Sequence, residues 1–451
     1  MRILILGGGE VALLVARRLI REKNEVVIVE RDEQRCVHLE EVLDAKIVQG
    51  NATSIRTLIE AGIDSAEMLI AATNQDDTNV LGCLIAQDYP GIGIKLARLR
   101  THEVDRWRSL CEDYLNVDLI IHPDREAARR LLRVVSHPGV SDLLGFAEGR
   151  IQLIGMSIRE DSWVVGKSMR ELDASGPPNS LMVMLFRGHR VLIPRGEDRL
   201  EVGDFVYIIV PTGEMDECLR FMGLPGQRKL QRVFILGGKQ IGIEVAQRLE
   251  KRGVHVKLFE RDLGRCEKIA SLVKKTVVVH ADGTDQRVLN EENIEGIDAY
   301  LALSGHDEDN IIASLLSKRM GAGKALALIN RSDLLPMTQL LGIDSSLSTR
   351  LVAVDRILQF VRKGKVLSVK TFRDEEAEAI ELVATPDSKY VGKKLRHVHL
   401  PRGAIVGAIA HPDGHVTVPR GDAIIHAGDR VIFFCLESLV PELESAFIAG
   451  K

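Results

Sequence analysis

Small residues near the amino terminus could bind a diphosphate through backbone amide groups. A strand-like run, RILIL, is followed in order by Gly7, Gly8, Gly9, Glu10, Val11 and Ala12. The spacing of Gly7, Gly9 and Ala12 matches the G-x-G-x-x-G/A pattern. In that pattern the first glycine permits a tight turn, the second lets the backbone approach a pyrophosphate, and the third lets a helix pack on the strand. A helix beginning here would direct free amides and its positive dipole end at the pyrophosphate.

An acidic residue follows at the spacing expected of a ribose-binding position. The predicted second strand, residues 25–30, ends at Glu30, 23 positions after Gly7 (30 minus 7), where about 20 is usual. Its carboxylate could accept hydrogen bonds from an adenosine ribose and would repel a 2'-phosphate, although Arg31 weakens that exclusion. Strand, glycine turn, helix, strand and terminal acid together predict a site for NAD or an adenine nucleotide. A glycine turn in an α/β domain that binds nothing remains the alternative.

Polar residues follow three later strands, where an open α/β sheet presents its ligands. The three segments are KIVQGNAT, EMLIAATNQDDTN and IKLARLR. They supply six candidate contacts, which are Asn51, Ala52, Thr53, Thr73, Asn74 and Arg98. For Arg98 two interpretations stay open, a phosphate contact and a solvated surface arginine.

The nucleotide-binding pattern occurs twice. A shift of 230 positions pairs Gly7 with Gly237 and ERDEQRC with ERDLGRC, which agree at five of seven positions. The second copy has Lys239 where the first has Gly9. A lysine there would collide with a pyrophosphate lying on the backbone, although its ammonium could serve a phosphate placed differently. We expect the second lobe to keep the fold with binding weakened, changed or lost, while Glu260 and Asp282 keep some capacity for adenosine.

Two smaller segments also resemble each other, pairing Gly203 with Gly428 and Asp204 with Asp429. Their short alternating runs and glycine or proline turns predict small α+β modules. The predicted fold class is therefore α/β, with two Rossmann-like, doubly wound parallel-sheet lobes, each followed by such a module. The predicted boundaries are 1–140 for lobe 1, 141–228 for module 1, 229–365 for lobe 2 and 366–451 for module 2. Linking helices are predicted at 123–135 and 348–365.

Composition excludes several classes of protein. The 451 residues carry a net charge of -4 with both signs interspersed, which is not the pattern of a general nucleic-acid binder. No apolar run reaches the roughly 18 residues of a membrane span, so a cytoplasmic protein is expected. Six cysteines without a CxxC pair indicate reduced, mostly buried thiols. The five histidines of module 2 are interpreted as solvated loop residues, and no metal site is assigned to His397, His399, His411, His415 and His426.

Catalysis would need an acid or base beside the nicotinamide. The segment after lobe 1 offers only His189 among histidines, and FRGHRVL indicates a hairpin turn there. No catalytic residue is therefore assigned, and we expect a protein that is not an enzyme. Two alternatives remain open: an NAD-dependent oxidoreductase, and a stand-alone nucleotide sensor that shares all of these features.

The chain resembles the TrkA family of regulatory proteins of potassium uptake. The resemblance is carried by the order of modules and by the GGGEVA turn, IVQGNAT, AATNQDDTN, ARLR, VSHPG, GFAEGR and HADGT. It implies two RCK (regulator of potassium conductance) units that bind NAD(H) and often ATP or ADP. It also implies a homotetrameric ring beneath a membrane potassium transporter. By this resemblance the ligand contacts would be Gly7, Gly9, Ala12, Glu30, Asn51, Thr73, Asn74 and Arg98.

Overall fold

A computed structural model describes residues 1–101, 103–188, 190–361, 366–372 and 377–448. His189 and the predicted helix end at 362–365 lie outside the described residues. The chain forms two compact units. Unit 1 comprises Met1–Ala127 and Ser348–Val361, and unit 2 comprises Ala128–Leu347 and Arg362–Lys451.

Unit 1 is built on a parallel sheet of apolar, β-branched strands separated by glycine turns and helices. Its strands are β1 Arg2–Leu6, β2 Glu25–Glu30, β3 Lys46–Gln49, β4 Met68–Ala71, β5 Ile94–Arg98 and β6 Leu119–Ile121. Their order in the sheet is β3-β2-β1-β4-β5-β6. The order reverses between β1 and β4, and a crevice opens at the carboxyl ends of the strands at such a point.

Helices cover both faces of this sheet, and one of them comes from far along the chain. The local helices are α1 Glu10–Arg21, α2 Glu33–Val42, α3 Ile55–Glu60, α4 Asp76–Ile85 and α5 Val104–Leu115. The next helix, α6 Pro123–Val134, begins in unit 1 and belongs to unit 2 from residue 128 onward. The last helix of unit 1 is α14, Thr349–Val361, which follows lobe 2 in sequence. Its Ala353 and Ile357 are fully buried in one core with Ile3, Ile5 and Val15. The linking helix of the second half thus completes the core of lobe 1.

Unit 2 contains a second parallel sheet with the same strand order, β14-β13-β12-β15-β16-β17. Its strands are β12 Arg232–Leu236, β13 His255–Glu260, β14 Val277–His280, β15 Ala299–Ala302, β16 Ala325–Leu328 and β17 Ser345–Leu347. Its helices are α9 Gln240–Lys251, α10 Leu263–Leu272, α11 Gln286–Glu291, α12 Asp307–Arg319 and α13 Leu335–Leu340.

The two modules of unit 2 are five-stranded antiparallel sheets, ordered β10-β9-β11-β8-β7 and β18-β19-β22-β20-β21. Module 1 contains β7 Asp142–Phe146, β8 Ile151–Ser157, β9 Leu181–Arg187, β10 Arg190–Leu192, β11 Phe205–Pro211, α7 Met169–Ser175 and α8 Met215–Phe221. Module 2 contains β18 Val366–Phe372, β19 Ala377–Val383, β20 Ala404–Ala410, β21 Val416–Thr417, β22 Arg430–Leu436 and α15 Val440–Ile448. The sheets share one core, in which Tyr207 of module 1 contacts Phe372 of module 2 at a ring distance of 4.7 Å.

The predicted fold class is confirmed, with two parallel-sheet lobes each followed by an antiparallel module. The first two strands have the predicted limits, and the predicted helix at 123–135 ends one residue earlier. All six cysteines are buried, as expected. In the described part of the chain, no helix has the length and hydropathy needed to cross a bilayer.

Candidate nucleotide-binding site

A cleft opens at the carboxyl ends of β1, β2, β3 and β4 in unit 1. It lies beside the reversal of strand order, where the glycine turn predicts it. Its lining consists of Gly7, Gly9, Val29, Glu30, Arg31, Arg35, Gly50, Asn51, Ala52, Ala72, Thr73, Asn74, Gln75 and Thr78.

The glycine turn leaves room for a ligand at one of its glycines. Gly7 has a φ of +97°, and a Cβ there would lie 3.0 Å from the Cα of Thr73. Gly9 is different, because beyond its own chain neighbours no described residue comes within 4 Å of a Cβ built at that position. Its backbone is extended, and as the N-cap residue of α1 it makes no side-chain hydrogen bond to the first amides of the helix. The first amides of a helix lack intrahelical partners, so this open space suits a diphosphate.

Glu30 joins the glycine turn to the end of β2. The residue is 6% exposed, and its carboxylate accepts hydrogen bonds from the amides of Gly8 (2.5 Å), Arg31 (2.8 Å) and Asp32 (2.9 Å). Two carboxylate oxygens offer about four acceptor positions, so an acceptor position remains for a ribose hydroxyl. The fold therefore fixes this carboxylate before any ligand arrives.

A buried asparagine holds the opposite wall of the cleft. Asn79 is fully buried on α4, and its Oδ1 accepts hydrogen bonds from the amide and hydroxyl of Thr73 at 2.9 and 2.7 Å. Its Nδ2 donates to the carbonyls of Thr73 and Arg98. This side chain fastens the ends of β4 and β5 together, which places Asn74 at the cleft.

Basic side chains lie on two sides of the cleft. Arg31 and Arg35 line it next to Glu30. Arg98 lies behind Asn74 and donates a hydrogen bond to its Oδ1 at 3.2 Å. Burial, together with the nearby Arg100, lowers the pKa of Arg98 to about 10. At neutral pH it is a partly buried cation that reaches the cleft through Asn74.

The structure brings most of the predicted contacts together. The predicted residues that line the cleft are Gly7, Gly9, Glu30, Arg31, Asn51, Ala52, Thr73 and Asn74. Thr53 lies beside them, donating from its amide and hydroxyl to Asn51 Oδ1 at 3.0 Å. Val11 and Ala12 are buried in the core below α1, so they can offer a ligand only their backbone. Glu10 is exposed at the start of α1, where Arg350 of α14 lies 3.8 Å from its carboxylate.

Three polar lining residues escaped the sequence prediction. Arg35 lies in the first turn of α2, while Gln75 and Thr78 lie at the start of α4. Both segments belong to motifs with a counterpart in the other lobe, ERD and TNQDDTN. This repetition is the sequence feature that could have indicated these three residues. Whether a side chain in a first helical turn faces the cleft depends on how the helix packs on the sheet.

The corresponding crevice of lobe 2 is crossed by ion pairs. Lys239 takes the backbone conformation of Gly9 and extends its side chain over Gly305. Arg261 bonds Asp282 at 2.8 Å and lies 3.3 Å from Asp309. Although partial burial acts the other way, the hydrogen bonds from Thr284 and Arg261 lower the pKa of Asp282. Glu260 holds the Gly238 amide at 3.0 Å, as Glu30 holds that of Gly8.

The chemistry of the first cleft is that of binding. Of the described residues that line it, none is a histidine, lysine, cysteine or tyrosine. Its carboxylate, Glu30, is held by three amides. The cleft can orient a nucleotide, but its lining supplies no evident group to move a proton at a substrate.

One interpretation of the module 2 histidines is wrong. His411 is not a solvated loop residue: its side chain is 21% exposed and its Nδ1 lies 2.8 Å from Oδ1 of the buried Asp429. His426 lies on the other side of the same carboxylate. The chain brings together residues that are 15 and 18 positions apart, which HVH spacing in the sequence did not indicate.

Comparisons with known proteins agree with both halves of this architecture. The family profile described as TrkA-N domain matches residues 3–123 and 233–349, and the TrkA-C domain profile matches 153–223 and 379–448. The chain is 33% identical to the Trk system potassium uptake protein TrkA of Halomonas elongata, over 100% of this chain and 99% of that protein. It is also 33% identical to the TrkA of Azorhizobium caulinodans, over 99% and 98% of the two chains.

A solved structure described as the GsuK channel bound to NAD shares the fold. Its TM-score is 0.62 at 18% identity, and the match covers 100% of this chain and 79% of that one. At this identity the likeness is one of fold.

Proposed function

Because the chain belongs to the TrkA family of Trk system potassium uptake proteins, we propose that it is a regulatory subunit that binds NAD(H) in the lobe 1 cleft. ATP and ADP are proposed as further ligands of the same cleft. The protein is proposed to act in the cytoplasm, at the inner face of the membrane, through a membrane potassium transporter. It is proposed to form a homotetrameric ring and to bind no nucleic acid.

One observation carries the proposal: the open space at Gly9 and the prepositioned carboxylate of Glu30 belong to the same cleft. A diphosphate at the start of α1 and a ribose at the end of β2 would occupy these two places. The arginines at 31 and 35 add positive charge to the same wall. The relative solved with NAD supports a dinucleotide as the ligand.

The proposed mechanism is a shift between conformations of the ring. A ligand that binds one conformation 100-fold better than another changes their balance by about 2.7 kcal/mol. No bond needs to break, which agrees with a cleft suited to binding. Lobe 2 is proposed to bind nucleotide weakly or not at all, because Lys239 and the Arg261 ion pairs cross its crevice. The domain boundaries given above remain a proposal, which limited proteolysis can test.

Calorimetry of the full chain with NADH, NAD, NADPH, ATP and ADP tests the site through Gly9→Asp. The position has an extended backbone and open space, so the variant should fold, while its carboxylate would occupy and repel the diphosphate. Gly93→Asp is the matched control, because Gly93 also has open space and precedes β5 at the other end of the strands.

We expect Gly9→Asp to lose NADH binding and Gly93→Asp to keep it. Equal affinities for both variants would overturn the site. Steady oxidation of NADH in a mixed substrate pool would favour the oxidoreductase instead. Failure to retain a Trk-type transporter in a pull-down, with nucleotide binding intact, would favour the stand-alone sensor.

A further inference from the structure

The internal repeat places two different sets of side chains around the same buried carboxylate. Asp204 of module 1 and Asp429 of module 2 are each 1% exposed. Each accepts a hydrogen bond of 2.8 Å from the amide three residues earlier, Glu201 in one module and His426 in the other. The two loops therefore have the same construction.

In module 1 a guanidinium neutralises this carboxylate. Arg187 donates from Nε and from a terminal nitrogen to the two oxygens of Asp204, both at 2.8 Å. A third nitrogen of Arg187 lies 2.5 Å from Glu201. A buried carboxylate of this kind is costly unless it is paired, and the bidentate arginine provides the pairing.

In module 2 both partners are histidines. Phe186 pairs with Phe205 in module 1, and Ala410 pairs with Arg430 in module 2. Arg187 and His411 are the residues that follow the first member of each pair, and the buried aspartate precedes the second member. His411 therefore occupies the position of Arg187. The 225-residue offset likewise puts His426 in the place of Glu201. Two imidazoles thus flank Asp429, where module 1 has one permanent cation and a second carboxylate.

The three side chains have the arrangement of an incomplete tetrahedral metal site. Nδ1 of His411 lies 2.8 Å from one oxygen of Asp429, and Nδ1 of His426 lies 3.7 Å from the other. One donor atom from each of the three residues falls within 4.8 Å of the others. Tetrahedral bonds of about 2.1 Å place donors roughly 3.4 Å apart. His426 is 67% exposed, so it can supply the small movement required.

A neighbouring hydroxyl orients the more buried ring. Nε2 of His411 lies 3.1 Å from Oγ1 of Thr417, which turns Nδ1 toward Asp429. Metal-binding histidines usually have such a partner on the second nitrogen. The set of two imidazoles and one carboxylate, with water as a fourth ligand, is one that Zn²⁺ and similar divalent transition metals prefer.

We propose that His411, His426 and Asp429 form a binding site for a divalent transition-metal ion of the Zn²⁺ class in module 2. The ion would supply the countercharge that Arg187 gives Asp204 in module 1. It would also tie β20 to the loop before β22. This proposal is independent of the nucleotide cleft.

The test titrates tag-free, chelator-treated full chain with Co²⁺, followed by visible absorption, and with Zn²⁺, followed by calorimetry. We expect one site per chain, with the Co²⁺ bands bleached by Zn²⁺. The double variant His411→Arg, His426→Glu copies the arrangement of module 1, so it should fold and lose the site. His426→Gln, at an exposed position, should also lose it.

His415→Gln is the matched control. His415 stacks on His411 at a ring distance of 5.9 Å but contributes no donor to the cluster, so this variant should keep the Co²⁺ spectrum. Undiminished metal binding by the double variant would overturn the proposal. Absence of Zn²⁺ binding by the wild-type chain at micromolar concentration would also overturn it, even if the histidines of the cluster were found to bind protons. NADH affinity should be unchanged in every variant, which separates this test from that of the nucleotide site.

Discussion

At the scale of single residues, Glu30 has two roles that the repeat can separate. Glu30 and Glu260 both accept the amide of the second glycine, at 2.5 and 3.0 Å, and both accept the amide two residues after themselves. These bonds close the turn in each lobe. The two turns differ at the next residue, which is Gly9 in lobe 1 and Lys239 in lobe 2. Gly9 leaves the cleft beside Glu30 open.

Glu30→Gln is therefore expected to weaken NADH binding about tenfold, equivalent to about 1.4 kcal/mol. Glutamine carries no charge, and its side chain has an NH₂ donor in place of one of the two carboxylate oxygens that accept hydrogen bonds. Isothermal calorimetry measures the change. Glu260→Gln should reduce stability through the same lost acceptor, by about 1–3 kcal/mol, and leave NADH affinity unaltered. A parallel loss of affinity in both variants would assign Glu30 a structural role alone.

At the scale of elements, a helix that follows lobe 2 in sequence belongs to the core of lobe 1. Ile357 of α14 is fully buried with residues of α1 and β1. Replacing it with alanine leaves a cavity, so Ile357→Ala should destabilise lobe 1 by roughly 2–5 kcal/mol. Hydrogen exchange should show faster exchange of the amides in α1 and β1. Ile312→Ala, at a position 56% exposed on α12, is the control, and equal effects of the two would contradict the assignment.

A second linking element, the carboxyl end of α6 and the turn after it, is held by a buried lysine within unit 2. Nζ of Lys324 donates to the carbonyls of Val134, His137 and Val140 at 2.7, 2.9 and 2.7 Å. Three acceptors use all three protons of an ammonium group. Burial nevertheless lowers the pKa of Lys324 from 10.5 to about 7.

This shift predicts a pH dependence of stability. Between about pH 7 and pH 10 the unfolded chain binds more protons at Lys324 than the folded chain does, so the contribution of Lys324 to the free energy of unfolding should increase with pH. The buried cysteines, whose pKa values burial raises, act in the opposite direction but equally in every variant. Urea denaturation at pH 7 and pH 9 should therefore show that the wild type, and Lys318→Met at a half-buried lysine beside Asp344, gain free energy of unfolding relative to Lys324→Met. A wild-type slope in Lys324→Met would show that the three carbonyls keep the ammonium charged.

At the scale of the whole molecule, the chain contains two lobes of the same strand order and two modules that share a core. Four chains would supply eight similar lobes, enough for a closed ring with quasi-repeating contacts. Such a ring is the element on which the proposed nucleotide switch acts.

Light scattering should therefore give a mass near 200 kDa, four times 49.9 kDa, with and without NADH. The reason is that the switch changes the conformation of the ring and leaves its number of chains unaltered. Small-angle scattering should then detect a nucleotide-dependent change in dimensions, which Gly9→Asp abolishes. A stable monomer at micromolar concentration in both conditions would contradict the proposed ring.

Local patterns in the sequence were enough to predict the lobes, the modules and most of the cleft. The glycine turn, Glu30 and the polar strand ends act through backbone geometry within one βαβ unit, where spacing along the chain determines position in space. The repeat likewise identified Lys239 as the altered position of lobe 2, because the two copies align without gaps through the turn.

Only the tertiary structure decided the contacts between residues far apart in the chain. It placed α14 on lobe 1, turned Arg35 and Thr78 toward the cleft, and set Arg261 between two carboxylates. It also brought His411 and His426 to Asp429. Composition and periodicity describe which face of an element is apolar, whereas these contacts depend on which other element covers that face. That choice is made by packing of the whole chain, and no short stretch of sequence contains it.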